Sequence, residues 1–226
     1  LLFKKVKGNI LILTDGDVFV SKNSVKEILN AFKDPKVGCV GGHPVSLNSK
    51  NTMIDYWSHL LTDAANITRI KRSKKGQYLT CSGYLFAFRN GLIKSFPRDI
   101  PEDAYIPAFF LFKGYKIKYL QNVKVFVKYP SNFKEWLSQK KRISKAYENL
   151  KKVKINNKEI PKMKSFLNEL LEGPMIALSH PRNIKEFFWA LALFPARLYM
   201  WFLTFSETKI KKKKHTDSWA RVESTK

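Results

Sequence analysis

An α/β fold, with helices packed on a largely buried sheet, follows from three features of the 226-residue sequence. The unbroken run Ile10-Leu11-Ile12-Leu13 lacks polar alternation, which is the pattern of a strand covered on both faces, as parallel sheets are. Downstream, strand-like runs alternate with stretches of helical periodicity. With 44% hydrophobic and 14% aromatic residues, the chain can bury one substantial core plus an appendage, and disorder throughout is excluded.

The elements follow in order. After the first strand and Asp15-Gly16-Asp17, Ser24 and Glu27 have capping-box spacing. Val25, Ile28, Leu29 and Phe32 then make one helical face, stopped by Asp34-Pro35. A short strand is expected over Val37 to Val40, ending in a Gly41-Gly42 loop that carries His43. Met53, Ile54, Trp57, Leu60, Leu61 and Ala64 form a second helical stripe, and Lys71 to Gly76 reads as the loop after it. Tyr84 to Phe88 is a strand ending at Arg89. A third helix is expected from about Glu102 to Lys113, with acids in its first turn and Gly114 as its stop. Two strands, Lys116 to Leu120 and Val123 to Lys128, lead to a helix capped by Asn132. Its apolar face carries Phe133, Trp136, Leu137, Ile143, Ala146, Tyr147 and Leu150, and Gln139 and Arg142 are surface neighbours on it.

Cys39 and Cys81 stand in separate apolar contexts and read as reduced core residues of a cytosolic domain. The four histidines show no metal-binding pair. The chain begins with Leu1 and a basic stretch leading straight into a strand, so it reads as a fragment lacking its natural beginning. No secretory signal is expected, because the apolar run is short and broken by Asp15 and Asp17.

Asp15 and Asp17 place two carboxylates at a strand end, where open α/β sheets bind ligands. Mg²⁺ and Mn²⁺ take oxygen ligands and commonly combine one or two carboxylates with phosphate oxygens. For an isolated Asp-Gly-Asp, a turn before the next helix accounts for the residues better than a site does. Glu102-Asp103 likewise fits either an acid-base pair or a helix start favoured by the macrodipole, and Gln139 with Arg142 fits either a phosphate clamp or a solvated basic face. Gly83 fits close approach to a ligand or a simple turn.

In order, Asp15-Gly16-Asp17, Ser82-Gly83 through Phe88-Arg89, Pro101-Glu102-Asp103 and Gln139-Lys140-Lys141-Arg142 resemble the inverting family 2 glycosyltransferases. That group has the GT-A fold and includes the membrane-bound hyaluronan and cellulose synthases. The resemblance runs from about Asn9 to Tyr147, the second half of the usual catalytic domain, without the uridine-binding half that precedes it. It implies a partial GT-A (Rossmann-like) mixed sheet flanked by helices. It further implies Asp103 as general base with Glu102 beside it, Asp17 and Asp15 as ligands of Mg²⁺ or Mn²⁺ and the diphosphate, Gln139 and Arg142 on the diphosphate, and Gly83 near the acceptor. Ile143 stands where the family's Gln-x-x-Arg-Trp motif has Trp, which puts processive polymerisation in question.

The net charge of +24 points to anionic partners. Basic clusters lie at Lys71 to Lys75, Lys140 to Arg142, Lys151 to Lys154 and Lys211 to Lys214. No nucleic-acid signature accompanies them, so no nucleic-acid partner is expected. Phe187 to Phe205 is nearly continuously apolar, with Trp189 and Trp201 toward its ends. Pro195 and Arg197 interrupt it and positive charge flanks both sides, which favours an interfacial or re-entrant arrangement over a single span, with a buried core helix of the soluble domain as the plain alternative.

The expected organisation is therefore a glycosyltransferase catalytic portion over 1–155, a helical membrane-associated region over 156–208, and a basic cytoplasmic tail over 209–226. The expected activity is metal-assisted, inverting transfer from a nucleoside-diphosphate sugar, a UDP-sugar first, to a hydroxyl of a lipid-linked or glycan acceptor on the cytoplasmic side of a membrane. The alternative is a noncatalytic basic membrane-binding module that retains these motifs.

Overall fold

A computed structural model describes residues 6–97, 100–150, 152–161, 163, 166–210 and 223–225. Among these, a five-stranded mixed sheet has the order β1-β4-β3-β5-β2. Its strands are β1 (Ile10–Thr14), β2 (Phe19–Val20), β3 (Val37–Ser46), β4 (Leu85–Arg89) and β5 (Lys116–Val127). Helices α1 (Ser24–Ala31), α2 (Met53–Lys74), α3 (Glu102–Phe112) and α4 (Phe133–Leu150) flank it. A small hairpin, β6 (Lys154–Ile155) and β7 (Lys158–Glu159), precedes α5 (Phe166–Ser179) and α6 (Ile184–Phe205). The basic cluster Lys211 to Lys214 lies outside the described residues.

Several expectations are corrected. β1 is a strand but not a parallel one covered on both faces. It pairs antiparallel with β4, from Ile10 opposite Arg89 to Thr14 opposite Leu85, and only Leu11 is fully buried. Apolar content reports burial, whereas strand direction depends on a partner some seventy residues later. Only β3 and β5 pair in parallel. In α1 the buried face is Ser24, Ile28 and Ala31, continued by Phe32, while Val25 and Leu29 face solvent. The Ser24–Glu27 capping box does not form. The N-cap is Asn23 in the left-handed region, and Ser24 Oγ donates instead to the Ser21 carbonyl at 2.6 Å.

Gly41-Gly42-His43 is not a loop but the middle of β3. Cβ atoms at Gly41 and Gly42 would lie 3.1 Å from Cys81 Sγ and 3.2 Å from Leu85 Cδ2, so the pair lets β3 pass beneath its neighbours. The stretch Lys71 to Lys74 is the last turn of α2 rather than a loop. The two strands expected after Gly114 are a single β5, whose register against β3 shifts between Gly42 and His43. The two cysteines are not in separate contexts, since their Sγ atoms lie 3.6 Å apart in one core, both as free thiols.

Three apolar clusters hold the molecule together. One joins β3, β4 and β5 to α3 and reaches Tyr147 and Leu150 of α4. A second packs α1 on the other face of the sheet. The third unites α2, α4, α5 and α6 around Trp57, Leu60, Trp136 and Leu193. The turn before α6 is pinned to α2 by His180, whose Nε2 lies 2.9 Å from Asp63 and whose Nδ1 lies 3.1 Å from Tyr56 Oη.

Candidate active site

The site forms where β1 ends, β4 begins, α3 starts and α4 passes over the sheet. β1 delivers Asp15 at its carboxyl end, and Thr14 Oγ1 donates to the Tyr84 carbonyl at 3.0 Å, fastening that end to the start of β4. The preceding loop is shaped by buried Arg69 of α2, whose Nε donates to the Thr80 carbonyl at 2.9 Å and Nη2 to the Cys81 carbonyl at 3.3 Å. Cys81 N–H in turn donates to the Asp103 carbonyl at 2.8 Å, so loop and α3 are locked together. Tyr78 Oη donates to the next carbonyl, that of Ala104, at 3.0 Å.

A cavity of about 700 Å³ results, lined among others by Asp15, Gly83, Glu102, Asp103, Gln139 and Arg142. Six of the seven residues singled out in the sequence thus share one chamber. Asp17 is exposed beyond the lining, yet its charge reaches Asp15. The Asp15 carboxyl is raised above its ordinary pKa, first by desolvation and then by Asp17, with Arg142 opposing and Asp103 adding to the rise. Arg142 is correspondingly lowered by burial, against Tyr84 and Asp15. Those couplings show acids and cation converging although their elements are far apart in sequence.

Asp103 receives a long hydrogen bond from Tyr147 Oη, 3.5 Å from Oδ1. Burial, and next the Asp103 charge, push the Tyr147 phenol well above its usual pKa, so it stays a neutral donor. Gln139 Oε1 is buried without a hydrogen-bond partner among the described residues, a carbonyl that calls for a ligand donor. Gly83 is not in the left-handed region, and a methyl there would stand 3.7 Å from Glu102 Oε1, so its place on the chamber wall is spatial rather than torsional.

Sequence reasoning placed Tyr147 on the apolar face of α4 and Tyr84 at the start of a strand but missed their places at the site, and missed Arg69 and Tyr78 altogether. The available signal for Tyr147 was its position five residues after Arg142 on the same helix. Arg69 had only its place in a helix otherwise turning basic toward solvent. Asp15 and Asp17, acid neighbours at a strand end, are a donor set suited to a hard divalent cation with phosphate oxygens completing it. No group of three or more His, Cys, Asp or Glu side chains is placed to hold a metal ion by itself among the described residues.

Comparison with known proteins agrees with this geometry. The profile described as "Glycosyltransferase like family 2" matches residues 2–146. Human hyaluronan synthase 3 is 29% identical over 147 residues, covering 59% of this chain and 27% of that protein. Chicken hyaluronan synthase 2 is 29% identical over 153 residues, covering 62% and 28%. The chain thus spans about a quarter of the length of these relatives. Among solved structures, the mannosyltransferase PcManGT from Pyrobaculum calidifontis, in complex with GDP-Man and Mn²⁺, has a TM-score of 0.52 at 19% identity, covering 93% of this chain and 59% of that one. That likeness is one of fold, and it agrees with the mixed sheet and flanking helices of a GT-A domain. With the family profile covering well over half its length and the ordered motifs gathered in one cavity, the chain belongs to the family 2-like glycosyltransferases.

Proposed function

We propose that the chain transfers a sugar, with inversion, from a nucleoside diphosphate to an acceptor oxygen, using Asp103 as the base. The observation that carries this is the convergence of Asp15, Glu102, Asp103, Gln139 and Arg142 on one cavity. An acceptor hydroxyl gives its proton to Asp103 while its oxygen bonds to the anomeric carbon. The bond from that carbon to the diphosphate oxygen breaks, and its electron pair leaves with the diphosphate. Tyr147 steadies and orients the Asp103 carboxylate. Arg142 offers a planar fork to the phosphate oxygens, and Gln139 accepts a hydrogen bond from the bound ligand. Asp17 and Asp15 would hold Mg²⁺ or Mn²⁺, which neutralises charge on the departing diphosphate when bound. The Mn²⁺ and GDP-Man of the Pyrobaculum structure support both the cation and the class of donor.

The C-terminal helices fit attachment to a membrane surface. The segment Ile184–Thr208 is the one helix among the described residues long and apolar enough to cross a membrane. One side of α6 is buried through Ala190, Leu193, Ala196 and Met200, with α2 and α4 packed against the helix. Phe188, Leu198, Tyr199 and Phe202 remain exposed on it, as do Met175 and Leu178 on α5. A helix with one face committed to the domain and the other apolar lies along a bilayer surface rather than through it.

The catalytic assignment is tested with the full-length protein. Asp103→Asn should abolish metal-dependent release of nucleoside diphosphate in the presence of acceptor while donor affinity stays within about twofold. Undiminished turnover would remove Asp103 from the role of base.

A further inference from the structure

The chamber extends well past the acids that define the transfer site. Its remaining wall, built by α2, α4, α5 and α6, is apolar and includes Leu61, Ala65, Ile143, Ile176, Leu193 and Phe194. A glycan acceptor would need many hydrogen-bonding groups here, because each buried sugar hydroxyl left unpaired is costly. The polar side chains that α2 places on this wall, Ser58, Thr62, Thr68 and Arg69, already make hydrogen bonds within the protein. Ser58 Oγ donates to the Asp55 carbonyl at 2.6 Å, Thr62 Oγ1 to the Ser58 carbonyl at 2.9 Å, and Thr68 Oγ1 to the Ala64 carbonyl at 3.0 Å. Arg69 is committed to the loop carbonyls of Thr80 and Cys81. Leu198 lines the same chamber and is 52% exposed on the outer side of α6, so the apolar interior is continuous with the apolar surface of the helix.

We infer that the acceptor is a lipid, whose accepting oxygen meets Asp103 while the adjoining hydrocarbon fills the chamber between α2, α5 and α6. This rests on the glycosyl-transfer reading above. Hydrocarbon gains from such a wall by burial alone, roughly 0.8 kcal/mol per methylene. Arg197, on the same wall, adds positive charge, which suits a lipid phosphate as well as a lipid alcohol. In either case the acceptor oxygen bonds to the anomeric carbon as the diphosphate departs with the electron pair of the broken bond. An alcohol passes its proton to Asp103, and a phosphate oxygen arrives already deprotonated.

The full-length protein in liposomes, supplied with Mn²⁺ and radiolabelled UDP- or GDP-sugars, distinguishes the possibilities. Three acceptors are offered separately: dioleoylglycerol, a polyprenyl phosphate and a soluble tetrasaccharide. Label should enter the organic phase with one of the two lipids, and which one identifies alcohol or phosphate as the accepting group. Ala65→Phe and Ile176→Phe, which fill the chamber from different helices, should each cut lipid labelling about tenfold. Slow acceptor-free release of nucleoside diphosphate should stay within about twofold in both, which reports an intact fold and donor site. Label in the tetrasaccharide or in ethanol-insoluble polymer, label in neither lipid while nucleotide is released, or unchanged lipid labelling in both variants overturns the inference. If both variants fail to fold, the wild-type partition of label decides alone. Absence of nucleotide release from every donor in every arm overturns the transferase reading itself, a result distinct from release without lipid product.

Discussion

Arg142 sits half-buried beside Asp15 and Tyr84, and the proposed clamp on the diphosphate asks for its planar geometry more than for its charge. Lysine keeps the charge but loses the planar fork. Arg142→Lys should therefore raise the donor KM about tenfold with the fold unchanged, measured by steady-state kinetics and melting temperature. Unaltered KM would return Arg142 to the role of an ordinary basic surface residue. His43 gives a pH-dependent case. It is 8% exposed, with Nδ1 3.2 Å from the Gln121 carbonyl and Nε2 buried without a partner among the described residues. Desolvation is the main cause that lowers its pKa from 6.5, with Lys124 and Arg69 adding to it and Gln121 and Asp63 opposing. The folded state thus resists a proton that the unfolded chain accepts. Stability from this residue is complete above about pH 6.5 and is lost as pH falls below it, at up to about 1.4 kcal/mol per pH unit. Urea titrations at pH 7.5 and 5.5 should show a larger loss for the wild type than for His43→Gln; equal losses would rule out His43 as the titrating group. Asp15, Glu102, Asp103, Gln139 and Arg142 were legible in the sequence because chain order and spacing carry them. Arg69 and Tyr147 were not, since their roles arise from a loop and a carboxylate brought to them by other segments.

Among the elements, helices were more legible than strand pairings. The 3.6-residue stripe of α2 and the Asn132 cap of α4, where Glu135 N–H donates to Asn132 Oδ1 at 3.0 Å, are local properties. β3 was misread because Gly41-Gly42 looks like a turn until the partners that crowd it, Cys81 and Leu85, are known. The same crowding makes a sharper test one turn of sheet earlier. A Cβ on Gly38 would come within 2.4 Å of Phe110 Cδ1 and 2.7 Å of Tyr115 Cβ, where β3 passes under α3. Phe110 is fully buried, tilted against Phe88 and edge-to-face with Phe109 and Tyr115, so its ring cannot swing aside. Gly38→Ala should cost about 1 to 3 kcal/mol by overpacking and lower the melting temperature by roughly 2 to 12 °C. Because α3 carries Glu102 and Asp103 at its other end, activity should fall together with stability. A variant as stable as the wild type would show that β3 and α3 are less tightly apposed than this contact requires.

At the scale of the whole molecule, α6 has one face buried in the domain and another apolar face exposed, and that decides how the proposed membrane attachment can be examined. Removing residues 181–226 would take Ala190, Leu193 and Ala196 out of a buried cluster and away from α2 and α4, so lost flotation could follow from unfolding alone. The truncation would also release Lys141 and Lys145 of α4, which pair with Glu207 just past α6 and hold its carboxyl down to about 2. Charges placed on the outer face avoid this. Phe188 is 62% and Phe202 67% exposed, so Phe188→Glu with Phe202→Glu should leave the melting temperature within about 2 °C. If that face lies in the headgroup boundary, two carboxylates there remove apolar burial and oppose anionic lipid at once. The wild type should float with vesicles containing phosphatidylserine, and the double variant should shift largely to the soluble fraction. Raising salt separates the contributions, since screening weakens the attraction of a +24 chain to the vesicle but leaves hydrocarbon contact intact. The wild type should therefore retain part of its binding in 1 M salt, whereas the double variant should retain none. Full release of the wild type by salt would make the attachment electrostatic only and leave the exposed face of α6 without a membrane role.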